Sequence, residues 1–137
     1  MSETKPRSET TPDSGATPAI DFEKMDGLVA GVVQDARTGE VLMLGFLNPT
    51  SYARTLETGF VTFWSRTRQK LWMKGETSGN RLRVISASTD CDTDTLLFKV
   101  EVEGDGLVCH EGTVSCFTRP IAMSNENAEG SKGENRG

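Results

Sequence analysis

All three cysteines and the single histidine of this chain fall between residues 90 and 116. The stretch opens Asp90-Cys91-Asp92-Thr93-Asp94 and closes Cys109-His110-Glu111-Gly112-Thr113-Val114-Ser115-Cys116. Any fold for this chain must place three crowded carboxylates, whose mutual repulsion is costly without a cation. Thiolates select zinc-like ions, and oxygen clusters select magnesium-like ions. The stretch therefore reads as two adjacent metal sites of different character.

Three thiolates on one zinc ion leave an open position, the pattern of a catalytic site with bound water. No Cys-x-x-Cys knuckle is present, which argues against a zinc-finger module. The plain alternative is three free cysteines acting as small hydrophobes. Their company, the sole histidine and three aspartates, favours metal. If Asp90–Asp94 is extended, its period of two points the aspartates one way and Cys91 the other, where Cys91 can face a second subunit. A calcium helix-loop-helix is disfavoured because Thr95 stands where that loop needs glycine. A solvated acidic turn is the other alternative. His110 can be a fourth zinc ligand, a general base or a packed side chain. Its place beside Cys109 suits it to take a proton from metal-bound water.

The chain has 137 residues, enough for one domain and not two. Residues 1–20 and 120–137 are rich in Ser, Thr, Glu, Gly and Asn. Such tails bury too little apolar surface to offset their ordering entropy, so both are expected to be mobile. The folded domain is expected over residues 21–119, a size at which a dimer supplements a modest core. No apolar run marks a secretory leader or a membrane span. An odd cysteine count fits a reducing cytoplasm better than a disulfide framework. The net charge of -5 argues against broad nucleic-acid binding.

Leu28–Gln34 and Val41–Leu47 read as two strands of a hairpin. Asn48-Pro49 starts a helix, with Tyr52, Ala53 and Leu56 at helical spacing and Gly59 as its stop. Phe60–Ser65 and Lys70–Met73 form a second strand pair, and Arg81–Ala87 is another strand. Leu96, Phe98, Val100 and Val102 share one face of a strand ending at Glu103. Gly104-Asp105-Gly106 marks a turn with the flavour of a hairpin. The sum is an α+β, mainly antiparallel, compact single domain with one clear helix and room for a second near the C-terminus. Strand order does not follow from these cues.

Nearly half of the 15 basic residues lie between Arg54 and Arg83, a strip suited to a small anionic ligand. Within it, Trp64-Ser65-Arg66-Thr67-Arg68 and Lys74-Gly75-Glu76-Thr77-Ser78-Gly79 combine an aromatic ring, cations, hydroxyls and glycines. Guanidinium forks pair with phosphate, aromatic rings stack on purines, and glycines let backbone donors approach an anion. The composite suggests a nucleotide pocket built from Trp64, Ser65, Arg66, Arg68, Lys74, Glu76, Thr77 and Ser78. Taken alone, Trp64 and Trp72 suit the core better than base stacking.

At these residues the chain resembles phosphoribosyl-AMP cyclohydrolase, an enzyme family of histidine biosynthesis, over roughly residues 28–117. The resemblance rests on Val41–Asn48, Trp64–Arg68, Leu71–Gly79, Asp90–Asp94, Cys109–Gly112 and Ser115–Phe117. It implies an intertwined homodimer that hydrolyses the N1–C6 bond of phosphoribosyl-AMP and opens the adenine ring. It implies magnesium on Asp90, Asp92 and Asp94. It also implies zinc on Cys91 of one subunit with Cys109 and Cys116 of the other. His110 is the candidate proton shuttle by its place beside Cys109. The family commonly has Thr at the position of Glu111 and Ser at that of Thr67. The chain ends soon after Phe117, so a fused pyrophosphohydrolase domain is not expected. A non-catalytic nucleotide sensor with structural zinc is the alternative. A zinc nucleotide deaminase lacks its His-x-Glu and Pro-Cys-x-x-Cys signatures here.

Overall fold

The computed structural model describes residues 17–124. The expected tails lie largely outside that range. Within it, Ile20 and Phe22 pack against the core, and a single 3-10 turn spans Glu23–Met25.

The first hairpin is β1 (Val29–Asp35) and β2 (Val41–Leu47). Its turn is held by Asp35, whose carboxylate accepts from the backbone N–H of Arg37 at 2.7 Å and of Thr38 at 3.1 Å. Short Asp side chains favour such turns because they reach the backbone two residues on. The helix α1 (Pro49–Thr58) follows at once. Asn48 caps it by accepting from Ser51 N at 2.8 Å, and Ser51 returns the bond to Asn48 N at 3.0 Å.

The packed face of α1 is not the apolar one. Ser51 and Thr55 are buried, Tyr52 is half-buried, and Leu56 stays 53% exposed. Thr55 Oγ1 accepts from Thr62 N at 2.9 Å, so small hydroxyl residues let the helix approach the next strand closely while satisfying its buried backbone. The apolar spacing of Tyr52, Ala53 and Leu56 therefore located the helix but not its contact face.

Strands β3 (Thr62–Ser65) and β4 (Lys70–Met73) form a separate antiparallel pair, from Thr62 opposite Met73 to Ser65 opposite Lys70. Strands β5 (Leu82–Thr89) and β6 (Thr95–Val102) form the last hairpin. A register shift between Val84 and Ser86 leaves Ile85 50% exposed. The main sheet runs β2-β1-β6-β5, with β1 parallel to β6 and its other pairs antiparallel. A parallel pair needs a long crossover, and α1 with the β3–β4 pair supplies it.

Val29 and Val33 of β1, Leu42 and Leu47 of β2, Phe63 of β3, and Phe98 and Val100 of β6 are essentially inaccessible. Burying each such side chain contributes about 1.5–3 kcal/mol. Gly45 of β2 packs directly against Phe63 of the β3–β4 pair. A methyl there would stand 2.5 Å from the Phe63 ring. Gly45→Ala is expected to destabilise the fold by about 1–3 kcal/mol, read as a lower urea midpoint at unchanged slope.

Beyond β6 the reading of the turn at Gly104–Gly106 holds, but no strand returns from it, and no helix follows among the described residues. The segment is instead pinned to the start of β2. Ser115 Oγ donates to Val41 O at 2.8 Å and Cys116 N donates to Leu42 O at 2.7 Å. No helix among the described residues is long and apolar enough to cross a membrane.

Candidate active site and metal centre

The acidic motif forms the loop between β5 and β6. It is a tight turn, so the period-two alternation of an extended segment does not apply to it. Thr93 N donates to Asp90 O at 3.1 Å, and Thr93 adopts φ 56°. Asp90 Oδ1 accepts from the N–H groups of Asp94 at 3.1 Å and Thr95 at 3.3 Å. The chain thus curls around the Asp90 carboxylate, and one oxygen from each of Asp90, Asp92 and Asp94 lies within 4.8 Å of the others. Convergence comes from the turn, because a hairpin this short cannot stay extended through its loop. Desolvation pulls the Asp90 carboxyl up, but donors from Asp94 and Thr95 outweigh it and hold the group below the usual carboxylate range. Lys24, which sequence reasoning missed, sets its ammonium 3.3 Å from Asp94 Oδ2 and 3.4 Å from the Asp92 carbonyl. The hydrogen bond to Asp94 raises the Lys24 pKa.

The other thiols lie elsewhere. Cys109 N donates to Thr113 O at 3.0 Å and Gly112 N donates to Cys109 O at 2.9 Å, which folds Cys109–Thr113 into a compact loop. Pinning of Ser115 and Cys116 to β2 then brings Cys116 back beside Cys109, near enough for each thiol to shift the other's pKa. The Glu111 N–H, the Thr113 hydroxyl and Cys116 hold the Cys109 thiol below its ordinary pKa. Partial desolvation of its sulfur, followed by the bond and charge of Cys109, pushes the exposed Cys116 up, with Lys74 opposing. In metal-free protein near neutral pH, Cys109 carries more thiolate, so iodoacetamide is expected to label it before Cys116. Peptide mapping over a time course checks the order. Glu111, the departure from the family pattern, is taken up by Arg119 at 3.1 and 3.3 Å.

A cleft of about 700 Å³ opens between the β3–β4 pair with its following loop and the segment carrying Cys109. Ser65, Arg68, Lys74, Glu76, Thr77 and Ser78 line it, as do Cys109 and His110. Two expected members stand apart from it. Arg66 places its guanidinium 4.3 Å from the centre of the Phe46 ring, and Trp64 is half-buried opposite Leu71. The aromatic wall is Trp72, 37% exposed and 5.5 Å below the Lys74 ammonium. Strand alternation carries that signal: Lys70 and Trp72 share the exposed face of β4, which its apolar composition obscured.

Cys91 and the Cys109–Cys116 pair occupy opposite ends of the main sheet. The Cys91 loop ends at Thr95, which faces Ala30, whereas Cys116 is tied to Leu42 beside the Gln34 and Lys99 pairing. Thr95 to Lys99 alone spans ~13 Å at ~3.3 Å per residue. Thiolates on one zinc must each lie ~2.3 Å from it. Among the described residues, the aspartates are the one trio of His, Cys, Asp or Glu that converges within a single chain.

The fold is a small α+β domain with a cleft walled by cations and hydroxyls that closes on Cys109. Residues 43–118 match the phosphoribosyl-AMP cyclohydrolase family, and the chain belongs to that family. It is 59% identical over 102 residues to the phosphoribosyl-AMP cyclohydrolase of Solibacter usitatus, covering 74% of this chain and 80% of that one. It is 57% identical over 102 residues to that of Desulfatibacillum aliphaticivorans, covering 74% and 81%. The histidine biosynthesis bifunctional protein HisIE of Escherichia coli is 58% identical over 98 residues, covering 72% of this chain and 47% of that protein.

Proposed function

We propose that this chain is a phosphoribosyl-AMP cyclohydrolase of histidine biosynthesis, hydrolysing the N1–C6 bond of its substrate with zinc and magnesium as cofactors. The carrying observation, in a chain of this family, is the cleft that joins Arg68, Lys70 and Lys74 to Cys109 and His110. Water adds at C6, N1–C6 breaks, and the opened product carries the mass of one added water.

The donor sets fit the ions. Cys109 and Cys116 are adjacent, with Cys109 held toward its thiolate form, and the three carboxylates converge as a hard cation requires. When bound, zinc would bring the pKa of a water down to near neutrality, and magnesium would add positive charge for phosphate oxygens. The remaining work falls to the chain itself. Arg68 and Lys74 hold phosphate, and the hydroxyls of Ser65, Thr77 and Ser78 with Glu76 fix the sugar and phosphate. Trp72 offers a face for the purine. Exposed His110, beside Cys109, receives the proton of the attacking water at a ring nitrogen and returns it to N1.

The opposite placement of Cys91 supports a homodimer in which Cys91 of one subunit joins Cys109 and Cys116 of the other. The free state of all three cysteines accords with a cytoplasmic, reducing location. Metal-loaded protein incubated with phosphoribosyl-AMP is expected to yield a product heavier by one water. Ammonia release would instead indicate deamination, and saturable binding without product would indicate a sensor.

A further inference from the structure

Asn80 is a buried amide in the wall of the cleft, 9% exposed, and the chemistry above gives it no part. Its Oδ1 accepts from Asp105 N at 3.1 Å, and its Nδ2 donates to Leu107 O at 2.9 Å. The backbone partners fix the amide orientation, since an N–H only donates and a carbonyl only accepts. Two glycines on facing segments leave room for this residue. A methyl on Gly75 would stand 2.2 Å from the Asn80 carbonyl oxygen, and one on Gly104 would stand 2.0 Å from Asn80 Oδ1.

The location matters more than the burial. One segment, residues 74–80, carries Lys74, Glu76, Thr77 and Ser78; the other, residues 105–110, carries Cys109 and His110. The β5–β6 pairing ends where Glu103 N donates to Arg81 O at 2.8 Å. Past that point, among the described residues, the hydrogen bonds that join the two walls are both made by the Asn80 carboxamide.

We propose that Asn80 is a positioning residue that ties the anion-binding wall of the cleft to the wall bearing Cys109 and His110. Phosphate contacts and reacting groups then keep one spacing. The proposal rests on the reading of the cleft as the nucleotide site. The two ends of the amide do different work: Oδ1 shapes the turn at residues 104–106, while Nδ2 holds the carbonyl two residues before Cys109. Misplacement of reacting groups by ~1 Å costs about 100-fold in rate.

The test compares full-length wild type with Asn80→Asp, Asn80→Ala and Gly104→Ala, below the melting onset of each. Asn80→Asp is isosteric and keeps the acceptor for Asp105 N–H, but it turns an oxygen toward the Leu107 carbonyl. It is expected to melt closer to wild type than Asn80→Ala does, yet to lose about 100-fold in kcat/KM, chiefly in kcat. Gly104→Ala leaves Asn80 in place while driving a methyl into Oδ1, and is expected to show the same kinetic loss. Amide hydrogen exchange at residues 108–112 is expected to quicken about tenfold in each variant. Folded variants that keep kcat/KM within about twofold of wild type would reduce Asn80 to a space-filling residue. Unchanged exchange at residues 108–112 would overturn the tether itself. A wild type that yields no ring-opened product overturns the reading of the cleft, and the exchange data still decide the tether.

Discussion

Cys109→Ala protein is expected to fold normally, lose its zinc and drop roughly 10⁴-fold in turnover, the scale seen when one member of a concerted catalytic group is removed. Folding survives because Cys109 is only half-buried and its loop is held by main-chain bonds, from Cys109 N to Thr113 O and from Gly112 N to Cys109 O. Truncation leaves those bonds intact and removes only the sulfur. The Glu111 N–H turns to water at little cost, and the Thr113 hydroxyl keeps its bond to the Ser115 carbonyl at 2.7 Å. Zinc content by elemental analysis, a thermal melt and the product mass assay together check the result. Retention of both zinc and full turnover would remove Cys109 from the ligand set. His110→Ala separates the two roles, since it is expected to keep zinc and lose about 10²- to 10⁴-fold, the range of a general acid–base group.

Mixing two inactive variants is expected to restore activity. Cys91→Ala and Cys109→Ala each spoil every site in their own homodimers. In a mixed dimer, one site combines intact Cys91 from one subunit with intact Cys109 and Cys116 from the other, and the second site carries both lesions. Random exchange makes half the dimers mixed, so about one quarter of wild-type activity should return. The physical basis is the span along β6, ~13 Å from Thr95 to Lys99, against a zinc–sulfur bond of ~2.3 Å. Activity in the unmixed Cys91→Ala protein would remove Cys91 from the ligand set, and none in the mixture after full subunit exchange would mean that the site closes within one chain.

Local chemistry was readable from residue order. Asn48-Pro49 marked the start of α1, and the alternation of Leu96, Phe98 and Val100 marked the buried face of β6, because caps and period-two patterns act over a few residues. Asp90, Asp92 and Asp94 do converge, but through a turn around Asp90 rather than through the alternation that an extended segment would give. The buried face of α1 escaped notice because Ser51 and Thr55 pack through hydroxyl-to-backbone bonds, which leave no apolar periodicity.

Residue order thus located the hairpins, α1 and the segments that bear the thiols, carboxylates and imidazole, since those are properties of short segments. Tertiary structure alone decided the parallel pairing of β1 with β6, the removal of Arg66 to the Phe46 ring, the exposure of Trp72 in the cleft and the tie through Asn80. These depend on contacts between segments far apart in the chain, where packing and backbone satisfaction choose among arrangements that local propensity leaves equivalent. The same long-range packing puts Cys91 at one end of the sheet and Cys109 with Cys116 at the other, a separation that spacing along the chain does not encode.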